Sequence, residues 1–318
     1  MKIIYFGTPD FSVPSLEALI EKYEVVGVVT QLDKPKGRSS KLIPSPVKEC
    51  AMKHGIPVYQ YKRIRKEGID DLKSLNADVM VTCAYGQILS KEILDMTPHG
   101  VINIHGSILP KYRGAAPIQW AIIDGEKTTG ITILKSDVGI DDGPTMLFKY
   151  VDILENETSD ELFTRLSYVG KDAILEALEI IERGEAVFTP QEHDKATVCK
   201  MLDAGMSKLD FTKPSRDIVN MIHGISGWPT AHIVVDGVGF KVYRAKVIDE
   251  ATISHLLTKS MSECVDGEVV VASNKKGLVV KASDGYILLD EICPDSGKRM
   301  KSTAYLNGKK VTIGAVVE

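Results

Sequence analysis

Two polar side chains stand in a setting that suits chemistry. In Val101-Ile102-Asn103-Ile104-His105-Gly106-Ser107-Ile108-Leu109-Pro110, apolar and polar residues alternate with the period of a half-buried strand. Asn103 and His105 therefore leave one side of the strand, with Cα atoms about 6 to 7 Å apart, while Ile102 and Ile104 face the other. Gly106 and Pro110 stop the strand just beyond them, and in an open α/β sheet ligands bind outside the carboxyl ends of the strands. An amide and an imidazole aimed into one crevice can hold a carbonyl oxygen and manage a proton. A carboxylate is available from Asp141 in the loop Asp137-Val138-Gly139-Ile140-Asp141-Asp142-Gly143-Pro144. By itself that loop reads as a solvated turn or a weak calcium loop, and its spacing is not that of an EF-hand. Its interest comes from pairing with His105.

These groups need a scaffold, and the first 190 residues supply an α/β pattern. Short β-branched runs (Lys2 to Phe6, Val25 to Thr30, Val79 to Cys83, Val101 to His105, Gly130 to Leu134) alternate with amphipathic stretches such as Ser12 to Tyr23 and Lys91 to Met96. That order predicts βαβ units around a mostly parallel sheet. Asp160 to Arg183 gives the longest helix. The first loop, Gly7-Thr8-Pro9-Asp10-Phe11, lacks the second and third glycines of a dinucleotide fingerprint, so it reads as a tight turn and not as an NAD site. We expect one domain over 1–189 and an extended linker over 190–205, where no period is sustained. A second domain over 206–318 follows, in which short strands alternate with Asp-Gly and Lys-Gly turns. Five such strands suggest a small barrel, either of the oligonucleotide-binding (OB) type or a structural, dimerising β-domain.

Composition narrows the class further. With 318 residues, 44% hydrophobic and 26% charged, the chain has the make-up of a soluble globular protein with room for two cores. Five scattered cysteines without a C-x-x-C pair point to a reducing compartment and no structural zinc. No apolar run approaches a membrane span and none at the N-terminus suits a signal peptide, so a cytoplasmic chain with no membrane partner is expected. The net charge of −4 hides an asymmetry: 24 Lys+Arg against 30 Asp+Glu over residues 1–205, but 15 against 13 over 206–318. A polyanion can touch selected surfaces of such a chain.

The motifs go beyond composition. The run Asn103-x-His105-Gly106-Ser107-x-Leu109-Pro110-x-x-Arg113-Gly114-Ala115-Ala116-Pro117-Ile118-Gln119, followed by Asp137-Val138-Gly139-x-Asp141-x-Gly143, resembles the 10-formyltetrahydrofolate-dependent formyltransferases. The insertion Gln31-x-Asp33-x-Pro35-x-Gly37-Arg38-x-x-Lys41-Leu42-x-Pro44-Ser45-Pro46-Val47-Lys48 and the run Gly227-Trp228-Pro229-Thr230-Ala231 are similar to the branch whose acceptor is initiator methionyl-tRNA. Two positions depart from the usual pattern. Asp141-Asp142-Gly143-Pro144 is closer to the purine-pathway glycinamide ribonucleotide transformylase, and Tyr112 stands where the family usually has Trp.

The resemblance implies a Rossmann-like formyltransferase domain followed by a small C-terminal OB-like β-barrel, acting as a monomer without a metal. It implies 10-formyltetrahydrofolate as formyl donor and the α-amino group of initiator methionyl-tRNA as acceptor. Asn103, His105 and Asp141 take the catalytic positions. The folate slot falls beside Gly86, Gln87, Ile88 and Leu89 and the turn Ser107, Ile108, Leu109 and Pro110. Lys34, Lys36, Arg38 and Lys41 of the basic insertion, with Lys298, Arg299 and Lys301 of the barrel, are the expected tRNA contacts. Another amine, such as that of an amino-sugar nucleotide, is the alternative acceptor; hydrolysis of the formyl donor and a non-catalytic RNA-binding role are the remaining readings.

Overall fold

The computed structural model describes residues 1–35 and 42–318, and these form two compact units. The first comprises Met1–Pro117, Thr128–Asp152 and Phe163–Cys199; the second comprises Ile118–Lys127, Ile153–Leu162 and Lys200–Glu318.

The first unit is built on seven strands: β1 (Lys2–Gly7), β2 (Glu24–Thr30), β3 (Val58–Gln60), β4 (Val79–Cys83), β5 (Val101–His105), β6 (Thr128–Lys135) and β7 (Thr145–Asp152). Their spatial order is β7-β6-β5-β4-β1-β2-β3. The five strands from β3 to β5 run parallel, while β6 is antiparallel to both β5 and β7. Strand order reverses between β1 and β4, so the carboxyl ends of these two strands border a topological switch point, where α/β sheets bind ligands, and β5 lies beside β4. All five residues of β4 are buried, as expected of a strand covered on both faces.

The expected strands and helices are present, and two strands were not foreseen: the three-residue β3 and the antiparallel β7. The long helix spans Ser159–Glu182. Its start is capped by Thr158, whose backbone N–H and hydroxyl both donate to Glu161 at 2.9 Å, satisfying a donor the first turn leaves open. Farther along, Gly170 lets the helix lie close to β5: a Cβ there would meet Ile104 Cγ2 at 3.0 Å. Ile104 is thus held from behind while its neighbours Asn103 and His105 face the crevice.

The second unit is an antiparallel sheet of Ala231–Val235, Val238–Ile248, Gly285–Pro294, Gly277–Ala282 and Val269–Ser273, in that spatial order. Its two edge strands are both occupied by the chain end. Val234 and Glu318 exchange backbone hydrogen bonds at 3.0 Å, and Val269 N–H donates to Ala315 at 2.8 Å. The tail thereby closes the sheet into a small barrel and leaves neither edge bare.

One buried histidine in this barrel gives it a pH dependence. The register of Val238–Ile248 slips around Arg244, and the Ala245 N–H freed there donates to His223 Nε2 at 3.2 Å. Burial pushes the His223 imidazole down to about 4, with the Arg244 charge adding to the effect. Between the unfolded value near 6.5 and about 4, the unfolded chain binds a proton that the folded chain refuses, so stability falls as pH falls. We predict a loss of about 2 kcal/mol between pH 7 and pH 4.5 from this group, and His223→Gln removes most of it. Urea unfolding of the barrel at the two pH values, parent against variant, is the check; identical pH dependence would show that His223 is not responsible.

Candidate active site

Strand β5 ends at the site. Asn103 and His105 project from its one face, as their spacing requires, and Asp141 reaches them from the loop between β6 and β7. Asn103 Nδ2 donates to Asp141 Oδ1 at 3.3 Å, and His105 Nδ1 lies 3.5 Å from Asp141 Oδ2. The three groups therefore meet around one point at the carboxyl edge of the sheet.

Neighbouring strands fix how each group is turned. Thr82, the register partner of Asn103 on β4, donates its hydroxyl to Asn103 Oδ1 at 2.8 Å. That bond occupies the amide oxygen and leaves the N–H2 end toward Asp141. His105 Nε2 donates to the Tyr112 carbonyl at 2.9 Å, which commits one ring nitrogen to the turn and leaves Nδ1 as the nitrogen nearest Asp141. Asp141 holds a left-handed backbone, φ +50°, unusual for a residue with a side chain. Its Oδ2 accepts from Gly114 N–H at 2.9 Å.

The segment leading out of the first unit braces both loops. Residues 190–199 were read from sequence as the start of an extended linker; their backbone is hydrogen-bonded to the site. Thr189 exchanges backbone bonds with Thr145, Arg113 N–H donates to Thr197 at 2.9 Å, and Val198–Cys199 pairs in parallel with Arg113–Gly114. Gln191 sits between the two loops. Sequence reasoning missed Thr82, Thr132, Gln191 and the Gly114 N–H, since each acts from an element remote in sequence.

The expected folate segments occupy the same edge. Ala84–Leu89 follows β4, with Gly86 at φ +86° and Ile88 63% exposed. The Gln87 side chain is committed elsewhere, donating to the Tyr61 carbonyl at 2.9 Å and accepting from Ile64 N–H at 3.1 Å. In the turn Ser107–Pro110, Ser107 donates to the Lys111 carbonyl at 2.7 Å and Leu109 is buried. Thr132 pins this turn from β6, donating to the Ser107 carbonyl at 2.6 Å and accepting from Leu109 N–H at 3.1 Å. Ile108 packs on Gly130, where a Cβ would come within 2.6 Å of Ile108 Cδ1.

Of the expected tRNA contacts, Lys34 is exposed in a two-residue strand paired with Leu42–Ile43; Lys36, Arg38 and Lys41 lie outside the described residues. Lys48 closes the base of this insertion, with Nζ 2.7 Å from Asp33 Oδ2 and 2.8 Å from Gln60 Oε1. The ammonium of Lys48 and the amide of Gln60 hold the Asp33 carboxyl below its usual range. Lys48 is thus neutralised locally. In the barrel Lys298, Arg299 and Lys301 are exposed, but Arg299 Nε pairs with Glu291 at 3.0 Å and Lys301 with Asp290 at 2.9 Å. Among the described residues no group of three His, Cys, Asp or Glu side chains could hold a metal ion. No described helix is long and apolar enough to cross a membrane.

The chain, a mostly parallel sheet with an amide, an imidazole and a carboxylate converging at its carboxyl edge, followed by a small closed barrel, is of the formyl transferase class. Two family models agree: "Formyl transferase" matches residues 1–178 and "Formyl transferase, C-terminal domain" matches residues 201–310. The methionyl-tRNA formyltransferase of Clostridioides difficile strain 630 is 43% identical over 319 residues, covering 100% of both chains. That of Acetivibrio thermocellus is 41% identical, covering 100% of this chain and 99% of its own. A solved N-formyltransferase from Helicobacter canadensis, in complex with folinic acid and dTDP-3-aminofucose, shares the fold at a TM-score of 0.65 and 18% identity, over 94% of this chain and 100% of that one. The chain belongs to the methionyl-tRNA formyltransferase family.

Proposed function

We propose that the chain transfers the formyl group of 10-formyltetrahydrofolate to the α-amino group of initiator methionyl-tRNA, giving N-formylmethionyl-tRNA for translation initiation. The observation that carries this reading is the convergence of Asn103, His105 and Asp141 at the carboxyl end of β5. The amine adds to the formyl carbon, the C–N10 bond breaks, and the proton lost by the amine ends on the departing folate nitrogen. Asn103 Nδ2, and His105 Nδ1 when the ring carries both its protons, donate to the formyl oxygen as negative charge develops there, each such donor being worth roughly 3 to 4 kcal/mol of barrier. Asp141 orients both donors and takes part in passing the proton. Because an α-amino group titrates near about 8, no stronger base is required.

The slot fits an apolar, planar donor. Ile88, Val138 and Ile140 are 60% or more exposed on the loops that rim the site, and a bound pterin would cover such surface. In the Cβ direction of Gly86 the nearest group is Gln31 Nε2 at 3.6 Å, so the backbone there is open to a ligand. A side chain at this positive φ is strained and occupies that opening. We predict that Gly86→Val raises the folate KM by at least ~10-fold; unchanged folate affinity in a binding titration counts against the slot.

On the acceptor side, Lys34, Lys36, Arg38 and Lys41 meet the acceptor stem, with the barrel cations Lys298, Arg299 and Lys301 as a second phosphate contact. The ion pairs of Arg299 and Lys301 must be exchanged for phosphates, so the insertion carries the larger share. The deciding experiment is transfer of labelled formyl from 10-formyltetrahydrofolate to charged initiator tRNA, elongator methionyl-tRNA and an amino-sugar nucleotide. Selective labelling of the first is expected. Preference for the sugar, or no transfer to tRNA, overturns the proposal.

A further inference from the structure

We infer that Gln191 is a positioning residue for the formyl transfer, setting Asp141 in its working orientation without touching the reacting atoms. The inference rests on the reading of Asp141 as a catalytic group. Gln191 is 8% exposed, and each capacity of its amide is used. Nε2 donates to the Asp141 carbonyl at 2.8 Å and to the Gly143 carbonyl at 2.7 Å. Oε1 accepts from Arg113 Nε at 3.1 Å and Nη2 at 2.7 Å. Two donors and two lone pairs are thus saturated by two separate loops.

Each loop carries something the site needs. On one side is Asp141, whose left-handed backbone is a conformation that persists only where the surroundings impose it. Two carbonyls drawn onto one amide, at Asp141 and Gly143, are a means of imposing it. On the other side Arg113 lies between Tyr112, whose carbonyl accepts a hydrogen bond from His105 Nε2, and Gly114, whose N–H holds the Asp141 carboxylate. Gln191 therefore spans the two segments whose separation sets the distance from Asp141 to His105.

Arg113 makes the arrangement more telling. It is 8% exposed, and among the described residues its guanidinium meets only Gln191 and, at 3.3 Å, His193 Nδ1. A buried cation without a carboxylate partner is costly. A negative charge at position 191 would suit Arg113 better, yet it would repel the two carbonyls. The neutral amide, which both accepts and donates, is the side chain that serves both loops.

The test compares Gln191→Glu, which keeps size and the Arg113 contact but turns the donor end into an acceptor, with Gln191→Met, which removes both. Melting temperature and folate binding are measured on each. We expect both variants to lose ~10- to 100-fold in kcat while the KM values for folate and tRNA stay within about 2-fold. In an Asp141→Ala background, adding Gln191→Glu is expected to cost less than about 3-fold more, because a residue acting through another has nothing left to position. Parent-like kcat in Gln191→Glu overturns the inference, as do additive losses in the double variant. A parallel fall of kcat, both affinities and melting temperature in both variants also overturns it, showing a role in folding alone. If the parent enzyme itself transfers no formyl to methionyl-tRNA, the proposed function fails first; an active parent with an indifferent Gln191 sinks only this inference.

Discussion

Asp141→Ala, purified and folded, turns over at least ~100-fold more slowly than the parent at saturating folate and tRNA, and Asn103→Ala and His105→Ala fall at least as far. The expectation follows from where each side chain spends its hydrogen bonds. Asn103 has its oxygen engaged by Thr82, so its N–H2 end is the donor the strand presents. His105 has Nε2 engaged by Tyr112, so Nδ1 is what remains for substrate. In the proposed mechanism, alanine at either position deletes a donor to the developing charge. At Asp141 the loss is different in kind: the Gly114 N–H and both donors lose the carboxylate that orients them. Stability should suffer less than rate, since a side chain hydrogen bond of this type contributes about 1 to 2 kcal/mol and the Asp141 side chain is part-exposed. Asp141→Asn separates charge from shape, because the amide oxygen can still accept from Gly114. Single-turnover rates with both substrates saturating are the measurement. Near-parent turnover in any of the three alanine variants removes that residue from the mechanism.

The shared face of Asn103 and His105 was legible because a strand has a period of two. Val101 to His105 could be read as a strand from its alternation, and its stop from Gly106 and Pro110, so Asn103 and His105 had to share a side. Thr82 was hidden for the opposite reason. Every residue of Val79–Cys83 is buried, so no alternation marks which face Thr82 shares with its neighbour. Strand β7 followed a Gly-Pro break and exposes half-buried residues along most of its length, giving an edge strand little signature. Val58–Gln60 is too short for any period to show. Gln191 lies 50 residues from Asp141, in a stretch whose composition says only that it is extended. The proposed folate and tRNA segments rest on family resemblance alone: Ile88, Ser107 and Leu109 carry no chemistry that spacing would single out.

Gly143→Ala is expected to lower kcat by at least ~100-fold and stability by about 1 to 3 kcal/mol, although it adds one methyl group and removes no side chain. The backbone of Gly143 passes over the end of β6 so closely that a Cβ would sit 1.9 Å from the Lys135 carbonyl and 3.2 Å from the Asp137 N–H nitrogen. Neither neighbour is the tip of a flexible side chain; both are backbone, and Lys135 is tied to the loop through its own N–H, which donates to Pro144 at 2.9 Å. The loop from Asp141 to Pro144 must therefore lift, and with it goes the Gly143 carbonyl that Gln191 grips. Asp141 is two residues away, at a left-handed φ with no slack. A displacement of about 1 Å in a catalytic group is enough to cost ~100-fold. Gly308→Ala is the matched control, since nothing lies within 4 Å of its Cβ position, and it should leave rate and melting temperature alone. If Gly143→Ala keeps kcat within about 3-fold while the control behaves, the loop does not need its close approach to β6, and the geometry of Asp141 is not what limits the transfer.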